Sequence, residues 1–170
     1  MTDYIKKFEF EKHPKEITYI EGKPLKLNKE FVFFHNKSLF RKELTRLQYL
    51  FKSYTNIALL ATGIRDSYLK EEYSEKYLIV LFTTNEIIKD CNKIIELHSK
   101  VEIEKDCFFL VTTSTYLLLI AKEMEGLVLG VNILEDILTQ VMDDYFTKKN
   151  FEEYIQIRPF KILNCRNNFP

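Results

Sequence analysis

The sequence predicts an α+β domain built on a largely antiparallel sheet, with two main helices on one face. Strand-like and helix-like blocks alternate unevenly along the 170 residues, which is atypical of repeated strand–helix–strand units. Strand-like segments joined by short turns outnumber those that a helix separates, and short turns join antiparallel strands. Two longer segments carry apolar residues at helical spacing.

The first predicted elements are strands between residues 17 and 36. ITYI and PLKLN alternate between apolar and polar residues, residues 21–24 have the composition of a turn, and FVFF is a short buried run. Ser38 can cap the next segment, SLFRKELTRLQYLFKSYTN. Apolar residues recur there every three or four positions, which predicts a helix with one apolar stripe: Phe40, Leu44, Leu47, Phe51 and Tyr54.

The middle of the chain holds a strong strand signal and a shorter helix. IALLAT (57–62) fits either a strand or part of a packed loop, and the polar run RDSYLKEEYSEK (65–76) predicts a surface excursion. YLIVLF (77–82) is uncharged and rich in residues that favour strands. A short helix from about residue 86 to 97 is predicted because five residues share one face: Ile87, Ile88, Cys91, Ile94 and Ile95.

The last third predicts a hairpin, a long helix and a final extended segment. CFFLVTTSTYLLLIA (107–121) contains two strands joined near residues 113 and 114. The helix that follows begins with Gly126 and Gly130, two of the chain's four glycines. Glycine inside a helix costs about 1 kcal/mol relative to alanine, so this position needs a packing reason. YIQIRPFKIL (154–163) is the extended segment, and residues 1–170 are expected to form a single domain.

Charge and hydropathy exclude two classes of partner. Lysine and arginine number 25, as do aspartate and glutamate, so the chain lacks the basic excess that favours nucleic acid. The start, MTDYIKKFEFEKHPK, has no apolar stretch of a signal peptide. YLLLIA (116–121) is far shorter than the roughly 20 residues of a membrane span. We therefore expect a cytoplasmic protein without nucleic-acid or membrane partners.

The cysteines and histidines predict no metal or cofactor site. Cys91, Cys107 and Cys165 are isolated in the sequence, without the short spacing of a zinc motif. An odd and sparse set is typical of a reducing compartment. We expect all three thiols to be reduced, with Cys91 and Cys107 slow to react because they fall within predicted elements.

No catalytic residue is predicted. Adjacent carboxylates at 71–72, 143–144 and 152–153 diverge by about 100° if helical, whereas acid–base catalysis needs two that converge. The sequence holds no serine in a nucleophile elbow. GLVLG (126–130) lacks the lysine and hydroxyl residue that end a phosphate-binding loop. The carboxylate pairs are interpreted as solvated surface charge.

Four segments resemble, in order, one family of domains. EGLVLGVNILEDIL (125–138) resembles the pattern GLFYGVQTLRQLL of the small non-catalytic domain that precedes the barrel in certain glycoside hydrolases. These are the β-N-acetylhexosaminidases, the α-glucuronidases and the O-GlcNAcase/hyaluronidase-type enzymes. CFFLVTTSTYLLLIAKEMEG is similar to that domain's paired strands, and the opening is similar through Pro14, Gly22 and Leu27. RPFKILNCRNNFP resembles the strand that leads into the barrel.

The resemblance implies a fold like the second domain of hexosaminidases, with two zincin-like layers and glycines that let the helix lie close to the sheet. It also implies that catalysis belongs to a (β/α)₈ barrel of about 250 residues, which a 170-residue chain cannot contain. The expected function is that of a non-catalytic accessory domain that supports and orients such a barrel. A stand-alone protein-interaction module is the alternative. A sugar-binding module is the weaker one, because the chain has no tryptophan.

The long helix supplies the predicted interface. Its apolar arc spans roughly half the circumference, wider than the roughly 100° that a one-sided surface helix needs. We expect the central stripe to pack on the sheet and a flank to be partly exposed: Gly130, Ile133 and Ile137. That flank would meet the barrel of the same parent chain or, in its absence, a second copy. Ile137→Lys should then cost little stability and reduce self-association, whereas Leu134→Ala should cost about 2–5 kcal/mol.

Overall fold

The structure, a computed structural model, describes residues 4–10, 16–28, 30–37, 39, 41–55, 61–63, 69–147 and 155–166. The strands are β1 (Ile17–Tyr19), β2 (Leu25–Leu27), β3 (Val32–His35), β4 (Ala61–Gly63), β5 (Leu78–Thr83), β6 (Cys107–Thr112), β7 (Leu117–Ala121), β8 (Ile155–Ile157) and β9 (Phe160–Cys165). The helices are α1 (Arg41–Thr55), α2 (Glu71–Lys76), α3 (Cys91–His98) and α4 (Met124–Thr147), and a 3₁₀ turn (Ile87–Asp90) precedes α3.

Seven of the strands form one sheet in the order β1-β9-β6-β7-β5-β3-β4. Every neighbouring pair is antiparallel except β3 and β4, which are parallel. Strands β2 and β8 form a small antiparallel sheet of their own. The predicted α+β class with a largely antiparallel sheet is confirmed. The predicted hairpin is β6–β7, and of IALLAT residues 61 and 62 belong to β4 while 57–60 lie outside the described residues.

The two long helices, α1 and α4, pack on the same face of the sheet, as predicted. Their apolar residues join one cluster with alternate residues of the central strands. Phe51 of α1 contacts the Phe33 ring of β3 edge-on, with the ring centroids 6.0 Å apart. Leu134 and Leu138 of α4 are fully buried in the same cluster. This face holds the larger of the two core clusters among the described residues.

The opposite face of the sheet is covered too, so the domain has three layers where the resemblance implies two. Strands β5, β6 and β7 are buried at every position, because their continuous apolar runs present side chains to both faces. Helix α2, the 3₁₀ turn and α3 supply the second cover. Tyr73 of α2 is buried there, so the prediction of a plain surface excursion was wrong for this part of residues 65–76. Residues 65–68 of that run lie outside the described residues.

The two glycines of α4 lie against the β6–β7 hairpin. A Cβ added to Gly126 would overlap the backbone carbonyl of Cys107, whose carbon would be 2.8 Å away. A Cβ added to Gly130 would lie 2.5 Å from Leu119 Cδ1 and 3.1 Å from Phe108 Cγ. The close approach of helix to sheet is therefore observed, and it requires residues without side chains at both positions.

The expected exposure of the α4 flank was wrong. Ile137 is 0% exposed, Ile133 is 6% exposed, and Gly130 is buried as well. Helix α1 accounts for this, because its buried residues Leu44 and Leu47 belong to the same cluster as both isoleucines. The apolar arc of α4 is wide because the helix packs on the sheet and on α1, and both contacts lie within this chain.

Candidate functional site

The first candidate site is a pair of cysteines on neighbouring strands. Cys107 begins β6 and Cys165 ends β9; the two are directly opposite in register and form a disulfide. The Arg166 N–H donates to the carbonyl of Asp106 at 3.1 Å, so the cysteines occupy the next, non-hydrogen-bonded position. Antiparallel backbones are closest at such positions, and the two Cα atoms are 3.9 Å apart.

The disulfide corrects the prediction that all three thiols are reduced. Cys107 and Cys165 are 58 residues apart in sequence, and the strand register brings them together. Local spacing, the signal used for cysteines, carries no information on such a pair. Cys91 keeps its thiol, as predicted, and it is fully buried at the start of α3. Burial raises its pKa to about 11, which suppresses the reactive thiolate at neutral pH.

Charged residues surround the disulfide. The Cys107 Sγ lies 3.6 Å from a carboxylate oxygen of Asp106, and one ligand-capable atom from each of Asp106, Cys107 and Cys165 lies within 4.8 Å of the others. Arg166, the residue after β9, forms an ion pair with Glu125 in the first turn of α4. Cys107 is buried, whereas Cys165 and Asp106 are partly exposed. We call Asp106, Cys107 and Cys165 the thiol–carboxylate cluster.

A second group joins His98 at the end of α3 to Tyr116 just before β7. The His98 Nε2 lies 2.8 Å from the Tyr116 hydroxyl, and the imidazole packs on the Phe109 ring. Burial, helped by the Lys161 cation, lowers the pKa of His98, and burial raises the pKa of Tyr116. Both shifts favour the neutral forms. This geometry fits a hydrogen-bonded pair at the edge of the core rather than an acid–base pair.

A third group lies on the outward side of α1 and α4, which we call the outer helix surface. The Arg46 guanidinium forms an ion pair with Glu135 and donates to the Asn132 side-chain oxygen at 3.0 Å. The remaining members are one hydrogen-bonded pair and two exposed rings: Tyr54, Asp143, Tyr49 and Phe146.

The hydrogen-bonded pair and Phe146 lie together near the ends of the helices, whereas Tyr49 lies in the middle of α1. The Tyr54 hydroxyl donates to Asp143, and its ring stacks on Phe146 at 5.7 Å. The hydrogen bond to Asp143 raises the pKa of Tyr54 to about 12, so Tyr54 stays a donor at neutral pH. Tyr49 is 63% exposed and Phe146 is 43% exposed. This surface therefore combines aromatic rings with an ion pair and a hydrogen bond that join the two helices.

The residues singled out from the sequence do not form a surface site. Gly130, Ile133 and Ile137 are all buried inside the domain. Of the adjacent carboxylates, 71–72 are exposed in the first turn of α2, and 143–144 lie near the end of α4. The pair 152–153 lies outside the described residues. The thiol–carboxylate cluster and the outer helix surface are thus the sites that sequence reasoning missed.

Comparison with known proteins returned no family. No protein-family model matches the chain, and no curated protein matches it. Among the described residues, none of the helices combines the length and the apolar character that crossing a bilayer requires. Proposals on function therefore depend on the sequence motifs and on the site geometry.

Proposed function

We propose that this chain is a non-catalytic accessory domain of a glycoside hydrolase and that it supports and orients a catalytic barrel. The observation that carries the proposal is the position of Gly126 and Gly130 against the β6–β7 hairpin. These glycines and that hairpin belong to two of the four segments that resemble the pre-barrel domain. The packing gives the motif a physical reason, since larger residues would push α4 off the strands.

The outer helix surface is the proposed contact with the barrel. In the family the helices lie between sheet and barrel, so the outward side of α1 and α4 faces the catalytic domain. Tyrosine and arginine are enriched at protein interfaces, and this surface presents Tyr49 and Arg46. The outer helix surface takes the role first expected of Gly130, Ile133 and Ile137, because that flank is buried within the domain.

A stand-alone protein-interaction module is the second candidate, and one observation favours it. The flank expected to need a barrel is already covered by α1. The described part of the domain thus closes both faces of its sheet without a second domain. Under this alternative the outer helix surface would bind another protein rather than a barrel of the same chain.

The size of the native polypeptide separates the two candidates. An antiserum raised against this chain should detect, in the cells of origin, a polypeptide larger than 20.4 kDa by a barrel of about 250 residues. The recombinant chain serves as the size marker. A native species that migrates with the marker would contradict the accessory-domain proposal and support the stand-alone module.

The purified chain should also fail to hydrolyse aryl β-N-acetylglucosaminides and aryl glucuronides. Turnover lost on substitution of one carboxylate would contradict both candidates.

A further inference from the structure

The thiol–carboxylate cluster has the composition of a metal site. Two sulfurs and one carboxylate oxygen, from Cys107, Cys165 and Asp106, lie within 4.8 Å of one another. Ligands at 2.0–2.3 Å from one tetrahedral zinc ion are separated by about 3.3–3.8 Å, so small rotations suffice to bring the three atoms to one ion. The register of β6 and β9 places the two cysteines directly opposite each other, so their sulfurs start close together when the disulfide opens.

Electrostatics favours a cation once the disulfide is open. Two thiolates and a carboxylate within 4.8 Å of one another would repel strongly, because the site is partly buried. Protonation of the thiols relieves the repulsion, and so does a divalent ion. Thiolates are soft ligands that select zinc among the common divalent ions, and a carboxylate is an accepted third zinc ligand.

We propose that the reduced form of this cluster binds a zinc-like divalent metal and that the disulfide is the metal-free, oxidised state of the same site. A dithiol reductant supplies two electrons and two protons: the Cys107–Cys165 bond opens to two thiols, and the reductant closes to its own disulfide. The metal then displaces one proton from each thiol and binds both sulfurs and an Asp106 oxygen. The oxidised pair offers no thiolate, so the two states exclude each other.

The burial of the three residues sets how the site is reached. Cys165 is partly exposed and Cys107 is buried, so a reductant attacks the Cys165 sulfur and Cys107 is the leaving group. Asp106 is also partly exposed, which leaves a route for the metal from the solvent side. Three protein ligands leave the fourth tetrahedral position to water.

Cobalt(II) titration of the reduced chain tests the proposal. The protein is reduced with a dithiol, desalted without oxygen, and titrated with Co²⁺, which absorbs strongly when thiolates bind it. We expect thiolate-to-cobalt absorption that saturates at one ion per chain and is bleached by Zn²⁺. Asp106→Asn should weaken binding by about tenfold or more, since even outer-shell partners are worth 10- to 100-fold in metal affinity.

The controls use the third cysteine and the oxidised protein. Cys91→Ser should bind as the wild type does, because Cys91 is buried in α3 and is not one of the three grouped ligands. Cys107→Ser and Cys165→Ser should lose the absorption. The oxidised wild type should lose it too, and this control carries no substitution that could disturb folding. The proposal is overturned if reduced wild type gives no thiolate absorption, or if the absorption persists in oxidised protein.

Discussion

Gly126 and Gly130 show how a residue unfavourable for a helix can be required by the fold. Both occur within α4, where alanine would favour the helical backbone by about 1 kcal/mol. Their surroundings oppose the exchange in different ways. Gly126 lies against the backbone of Cys107, which is fixed in the sheet, whereas Gly130 lies against the side chains of Leu119 and Phe108.

Helix propensity alone predicts that alanine at these positions would stabilise the protein. We expect the opposite, because the added methyl group has no room. Gly126→Ala should lower the free energy of unfolding by about 1–3 kcal/mol, the usual cost of overpacking. Gly130→Ala should lower it less, because a leucine side chain can rotate away. Urea unfolding of both variants measures the change, with Thr147→Ala at an exposed position of α4 as the control. A gain in stability for Gly126→Ala would contradict the close packing described above.

The cysteines mark the limit of prediction at this scale. The burial of Cys91 follows from its position on the apolar face of a predicted helix, and the structure confirms it. The pairing of Cys107 with Cys165 depends on the register of two strands that are far apart in sequence. Register is set by the packing of whole strands, and a sequence pattern around one cysteine does not contain it.

At the scale of elements, periodicity correctly predicted that α4 is a helix, but it did not predict that α4 packs against α1. The wide apolar arc indicates contact with two surfaces, but the identity of the second surface depends on where α1 lies. The outcome for α2 has a related cause. Its buried Tyr73 is surrounded in sequence by charged residues, so six residues gave too little periodicity to predict a helix.

The corrected position of Ile137 changes the expected effect of Ile137→Lys. The side chain is 0% exposed, so the substitution places an ammonium group between α4 and its neighbours. We expect the free energy of unfolding to fall by about 4 kcal/mol or more, as the burial of an unpaired charge does. An exposed position of the same helix provides the control: Thr147→Lys should change stability by about 0.5 kcal/mol or less. Urea unfolding compares the two, and a folded, stable Ile137→Lys variant would restore the exposed flank.

At the scale of the whole molecule, the number of layers was available from the sequence in part. YLIVLF, CFFLVT and LLLIA are continuous apolar runs, and such strands are typically buried on both faces. That pattern points to a second cover over the sheet, whereas the family resemblance implies two layers. Which segments form the cover was not predictable, because α2 and α3 are short and their positions follow from tertiary packing.

The disulfide also determines how the edge of the sheet is fixed to its centre. Among the described residues, β1 reaches the seven-stranded sheet through β9, and β9 is joined to the central strands through β6. The Cys107–Cys165 bond lies across that last junction. Opening it releases a covalent tie at the end of β9, while the hydrogen bonds and the apolar contacts of Phe160 and Ile162 remain.

Reduction should therefore destabilise the molecule and loosen β1 and β9 before the rest of the sheet. The two cysteines are 58 residues apart, and the loop-entropy relation for that length gives about 4 kcal/mol at 25 °C. Urea unfolding with and without a dithiol measures the total, in metal-free buffer. Amide hydrogen exchange locates the effect, since β5 and β7 lie at the centre of the sheet and should keep their protection. Cys91→Ser should respond to the reductant as the wild type does. The disulfide should stabilise the protein because it limits the conformations that the unfolded chain can adopt. Equal stability in both redox states would therefore contradict a structural role for the disulfide.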